Sequence, residues 1–166
     1  MNASKWIFND QVKIWTESFG VKKYPAVLLI CGSGAVSTFY SNFFCNKIAE
    51  AGFFVIRYDQ RDYGKSSHFK QIDPKILPDL QKLKTQLPYQ IKDLEEDARI
   101  ILDTYRISKA HLVGHSMGGI VVQLFAATFP ERLLSFTSIS AGPASQKYEL
   151  EPVSDDIMQK LLSNGP

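Results

Sequence analysis

The residues with the clearest chemical potential lie in Leu112–Gly119, LVGHSMGG, where one serine stands between two glycines at the spacing G-x-S-x-G. A serine hydroxyl is a weak nucleophile until a neighbouring base takes its proton, so it must sit where a carbonyl and a base can both reach it. The spacing supplies that position when a strand runs into it and a helix runs out. The sharp turn then lifts Ser116 above the end of a sheet, and Gly114 and Gly118 leave room where Cβ atoms would collide. Here AHLV is strand-like and GIVVQLFAATF is helix-like. Ser116 is therefore the expected nucleophile. The N–H of Met117, at the start of the helix, is the expected first donor to the oxyanion that forms when the hydroxyl attacks. A second donor is expected from the loop after an earlier central strand, Cys31-Gly32-Ser33-Gly34, with the Ser33 N–H as candidate.

These groups need a frame, and the pattern of the chain supplies one. KWIF and VKIWTESF flank Asn9-Asp10 and read as an antiparallel hairpin. AVLLIC, Ala26–Cys31, is a continuous apolar run expected to be a strand covered on both faces. From Ser37 to Ala51 the spacing of Tyr40, Phe43, Phe44, Ile48 and Ala49 is helical, with Gly52 placed to end the helix. FFVIRYD, Phe53–Asp59, is a further strand. Gln60 to Pro88 has no clean period and holds Pro74, Pro78 and Pro88, which reads as a long loop with one short helix. Ile91, Leu94, Ala98, Ile101, Leu102 and Tyr105 then share one helical face. Asp93, Glu95, Glu96 and Asp97 load its early turns, where negative charge is favoured, and are expected to form a solvated face rather than a metal site. The strand AHLVG, the helix Ser116–Phe129 and the strand Leu133–Ile139 follow. Strand alternating with helix implies an α/β fold, a mostly parallel sheet with helices on both faces.

Composition narrows the partners. With 19 basic and 17 acidic residues among 166, the net charge is +2, so there is no basic footprint for nucleic acid. The longest apolar runs are too short to span a bilayer and the N-terminus has no apolar signal core, so no membrane partner and a cytoplasmic location are expected. Cys31 and Cys45 have no metal-ligand spacing and are expected as reduced, buried thiols. No metal and no cofactor are expected, and a small-molecule ester-like substrate fits this composition best.

Three segments in order resemble the α/β-hydrolase family. LLICGSG is similar to its oxyanion-loop strand, FFVIRYDQRDYGKSS to its D-x-R-G-x-G-x-S loop, and AHLVGHSMGG to its nucleophile elbow. The nearest subgroup is serine esterase-like, similar to aclacinomycin methylesterase. Two departures bear on chemistry. Cys31 stands where many members carry the His of an HG pair, which removes a buried hydrogen bond from the loop, and Asp62-Tyr63 stands where many have a single Gly.

The resemblance implies a triad in the chain order Ser, acid, His. No histidine follows residue 115. His115 adjoins the nucleophile and is expected to serve elbow packing; His111 lies within a strand as a satisfied core histidine; His68 is the only loop candidate. Glu149, Glu151, Asp155 and Asp156 follow no recognisable strand end. Ser154 can cap a helix Asp155–Ser163 whose Ile157, Met158, Leu161 and Leu162 form one apolar stripe. The expectation is a core over residues 1–142, truncated before the last strands, with 143–166 opening a helical cap. The expected activity is ester or lactone hydrolysis through an acyl-enzyme on Ser116, incomplete in this chain, with self-association through an exposed sheet edge. The alternatives are a non-catalytic binding protein on the same fold and a cofactor-free perhydrolase or haloperoxidase.

Overall fold

The two β-prone runs at the start pair as an antiparallel hairpin, β1 (Ala3–Asn9) and β2 (Val12–Phe19), in a computed structural model that describes residues 3–69 and 88–144. Asn9 lies opposite Val12, so the turn is Asp10-Gln11, one residue later than the dipeptide expected. Asp10 takes φ 51°, the left-handed conformation that a two-residue hairpin turn requires and that Asp tolerates.

From there the chain builds the alternation. β3 (Ala26–Ile30) lies between β4 (Phe54–Tyr58) and β5 (Ala110–His115), parallel to both, and β6 (Leu133–Ile139) extends the sheet beyond β5. The strand order is β1-β2-β4-β3-β5-β6, with β2 antiparallel to β4. All five residues of β3 are buried, because successive side chains enter different cores. Leu28 and Ile30 join Ile56, Leu112, Leu94, Ala98, Val121 and Phe125 beneath α2 (Ile91–Thr104) and α3 (Met117–Thr128). Val27 and Leu29 meet Phe19, Val55 and Cys45 beneath α1 (Asn42–Glu50). Each of the valine, leucine, isoleucine and phenylalanine side chains contributes about 1.5–3 kcal/mol when fully buried.

Three local expectations need correction. Ser37–Ala51 is not one helix: a 3-10 turn spans Ser37–Phe39 and α1 begins at Asn42, because the Ser41 hydroxyl accepts the Phe44 N–H at 3.2 Å and caps a new start. That shifts the buried face to Cys45, leaving Phe43 72% and Phe44 43% exposed, while Gly52 ends the helix at φ 92° as expected. The acidic run on α2 is only partly a solvated face. Asp93 closes a capping box with Gln90 and Glu96 pairs with Arg99, but Glu95 and Asp97 are buried. Asp97 lies on the flank of the apolar face, where Arg61 reaches it at 2.6 and 2.8 Å and Asn9 Nδ2 donates to it at 2.7 Å. His111 is half-buried rather than a core residue. It faces the α1 side of the sheet, but α1 lies over β2 and β4, so the ring packs edge-on to Phe53, with Nδ1 2.8 Å from Ser135 Oγ.

The described residues include no helix long and apolar enough to cross a membrane. β6 is an edge among the described residues, with Leu134, Phe136 and Ile139 exposed. Both cysteines are free and buried. Most of the 143–166 segment, including the helix expected over Asp155–Ser163, lies outside the described residues, as does most of the loop from Gln60 to Pro88.

Candidate active site at the β5–α3 turn

Ser116 occupies the junction of β5 and α3 with φ 54° and ψ −120°, outside the helical and sheet basins. A non-glycine residue there costs on the order of 1–3 kcal/mol and persists only where its surroundings hold it. They do so from both sides. The Ser116 N–H donates to Ile139 O at 2.9 Å, at the end of β6, and its carbonyl accepts from Gly119 N at 2.8 Å and Ile120 N at 3.3 Å in the first turn of α3. Met117 opens α3, so its N–H is among the helix-start donors that lack an intrahelical acceptor.

The glycines are required by packing. A Cβ on Gly114 would overlap the Gly118 carbonyl. One on Gly118 would overlap Ile30 O and lie 2.5 Å from Cys31 O. The elbow thus closes on itself and on the end of β3 at once. The Cys31–Gly34 loop lies against it: a Cβ on Gly32 would sit 2.9 Å from Ser116 Cβ and 3.2 Å from His115 O.

The loop after β4 braces this arrangement, and most of that bracing was not legible in the sequence. Gln60 is buried and donates from Nε2 to Cys31 O at 2.6 Å, and Tyr40 OH donates to Ile30 O at 3.2 Å. Asp59, also buried, accepts the Ser37 N–H at 2.7 Å on Oδ1 and the Lys65 N–H at 2.9 Å on Oδ2. One carboxylate therefore ties the loops after β3 and β4 together. Gly64 has φ 57°, and a Cβ there would strike the Asp59 carboxylate. Asp62, of the Asp62-Tyr63 pair that stands where the resemblance implies a single glycine, adopts φ 68°, a glycine-like conformation, and its Oδ1 accepts the Phe69 N–H at 2.6 Å. At the rim, Ser33 Oγ and Tyr63 OH are 3.0 Å apart. The signals for these roles were the resemblance of FFVIRYDQRDYGKSS to the D-x-R-G-x-G-x-S loop and the density of polar residues directly after an apolar strand; neither named the bonding partners.

The Cys31 thiol sits where the resemblance led one to expect a histidine. Burial, and then the nearby Asp59 charge, push its pKa up to about 12, so it stays a thiol that contacts Val36 O at 3.4 Å. The three histidines are dispersed. The His115 ring stacks on Phe39 with centroids 5.1 Å apart, His111 is held by Ser135, and His68 is exposed with Nε2 3.1 Å from Gly64 O. None of them is hydrogen-bonded to Ser116 among the described residues.

Residues 25–164 match the family described as alpha/beta hydrolase fold. The chain belongs to the α/β-hydrolase family. It is 32% identical over 148 residues to rhodomycin D methylesterase DauP of Streptomyces sp. strain C5, which covers 89% of this chain and 45% of that protein. It is 33% identical, with the same coverage, to rhodomycin D methylesterase DnrP of Streptomyces peucetius. The chain thus spans less than half the length of these two relatives. Among solved structures, a membrane phospholipase A described as a bacterial virulence factor superposes with a TM-score of 0.73. It has 22% identity and covers 99% of this chain and 46% of that one, a likeness of fold. The α/β-hydrolase fold, with a mostly parallel sheet of six strands among the described residues opened by an antiparallel hairpin, and kinship with methylesterases are therefore established.

Proposed function

We propose that this α/β-hydrolase chain carries the nucleophile and oxyanion hole of a carboxylic ester hydrolase. The Ser116 hydroxyl attacks the ester carbonyl, its proton passing to a base. The amides of Met117 and Ser33 stabilise the tetrahedral oxyanion, which collapses to an acyl-enzyme as the alkoxide leaves with that proton. Water then releases the acid by the same steps in reverse roles. The observation that carries this reading is the φ 54°, ψ −120° conformation of Ser116 at a strand-to-helix turn, with Gly32 packed against it. Kinship with two methylesterases favours a small alcohol as leaving group.

The base is the unfilled role. Each of the three histidines is engaged elsewhere, so the reading assigns acid and base to sequence outside these 166 residues, and the chain alone is expected to be inactive. Losing triad function can remove about 10⁶-fold of rate. The test is p-nitrophenyl ester turnover by residues 1–166, by its Ser116→Ala variant and by a longer form from the same reading frame. Equal, negligible rates for the first two, with Ser116-dependent activity in the longer form, are expected. Robust turnover by residues 1–166 that vanishes in Ser116→Ala would overturn the missing base. A longer form that binds esters without turning them over would favour a non-catalytic binding protein.

A further inference from the structure

The β1–β2 hairpin carries three large aromatic side chains that the core does not use. Its alternation sends Ile7, Val12 and Ile14 into the core beneath α2 and α3, so Trp6, Phe8, Lys13 and Trp15 stand on the opposite face of the sheet. Phe8 is 61% and Trp6 41% exposed, Trp15 is half-buried, and none of the three joins either core cluster among the described residues. Trp6 lies opposite Trp15 in the ladder, with ring centroids 4.9 Å apart, and Phe8 lies opposite Lys13. Lys65, from the loop after β4, holds its Nζ 4.3 Å from the centroid of the Trp15 ring. Phe69 and Tyr89, on either side of residues 70–87, pack against the core on the other face.

Adjoining exposed aromatic rings mark an interaction surface, and the charges around them say of which kind. Lys13 and Lys65 are both exposed. Glu17, on the same face, is matched by Arg57, which donates to it from Nε at 2.8 Å and from Nη2 at 2.6 Å, and Asp10 in the turn is the hairpin's other acid. A row of nucleic-acid bases needs rings lying flat for stacking and a positive track for the phosphates. Here the two indoles meet edge-on at 63° and the net charge of the chain is only +2. Aromatic rings beside lysines suit the surface of a bilayer instead. Indole and phenyl groups enter the headgroup layer, while ammonium groups at the ends of long stems meet anionic headgroups. The absence of a membrane partner expected from composition concerned segments long enough to span; lying on a bilayer requires none.

We propose that this face of the hairpin docks on anionic lipid bilayers, with Trp6, Phe8 and Trp15 entering the headgroup layer and Lys13 and Lys65 meeting its negative charge. Trp6 and Trp15 are the two tryptophans of the chain, so indole emission of the 166-residue chain reports on this face alone. The experiment titrates it with vesicles of phosphatidylcholine and phosphatidylserine, and with vesicles of phosphatidylcholine alone. The mixed vesicles are expected to shift the emission to the blue at lipid concentrations at least about tenfold lower. Lys13→Gln/Lys65→Gln should weaken binding to the mixed vesicles at least about tenfold, and Phe8→Ser should weaken binding to both kinds. No blue shift with mixed vesicles, equal affinity for the two kinds, or wild-type affinity in the folded lysine variant would each overturn the proposal. Tighter binding of an oligothymidylate than of mixed vesicles would also overturn it and assign the face to nucleic acid. Loss of vesicle binding in Phe136→Lys but not in the hairpin variants would move the lipid contact to β6 and overturn it too. If the hairpin variants fail to fold, lipids brominated near the headgroup decide with the unaltered chain: quenched indole emission supports the docking, and unquenched emission rules it out.

Discussion

Asp97→Ala is expected to be strongly destabilising, although the residue belongs to a run of acids that reads as surface. The structure supplies the terms. Its side chain is 1% exposed and that of Arg61 9%, and the guanidinium donates from Nε at 2.6 Å and from Nη2 at 2.8 Å. Removing the carboxylate strands a buried cation and also orphans Asn9 Nδ2, which now donates at 2.7 Å. Breaking a buried pair from one side costs about 3–5 kcal/mol, because the desolvated partner charge remains. Glu96→Ala, on the same helix, removes an ion pair whose side chains are 30% and 40% exposed, and should cost less than ~1 kcal/mol. In a domain of this size each kcal/mol lowers the melting midpoint by ~2–4 °C, so urea and thermal unfolding separate the two variants clearly. The double variant Arg61→Met/Asp97→Leu leaves no charge behind and should recover most of the loss. An Asp97→Ala cost near that of Glu96→Ala would refute the reasoning, since it would mean that water reaches the pair.

Two further outcomes follow from the elbow and the edge. Gly118→Ala places a Cβ against Ile30 O and Cys31 O, backbone atoms that cannot rotate away, and should cost about 3 kcal/mol or more in urea unfolding. Gly34→Ala, with open space around it but φ 79°, should cost only ~1 kcal/mol. The β6 strand LLSFTSI has no charge and an unpaired side among the described residues, so the 166-residue chain should self-associate in light scattering. Phe136→Lys should shift it toward monomer, and an unchanged mass would move the contact elsewhere.

What could be read from sequence and what could not divides along the range of the interactions. The parallel strands were legible because AVLLI is apolar at every position and FVIRY at every position but Arg57, a run that burial on both faces explains. Ser116 and its glycines were legible because the turn's steric demand is written within five residues. The break before α1 was missed because Ser41, a polar residue inside an apolar period, competes locally as a cap. Asp97 was misplaced because nothing near it in the chain announces Arg61, 36 positions away.

The sequence by itself determined the alternation of strand and helix, the elbow and its required glycines, since these rest on periodicity and on backbone sterics that neighbouring residues impose. Only the tertiary structure decided how the Cys31–Gly34 loop is held. Its bracing comes from Asp59 and Gln60, residues of another strand end brought beside it by the parallel β3–β4 pairing, and a carboxylate's or amide's hydrogen-bond partner is set by where the chain returns in space.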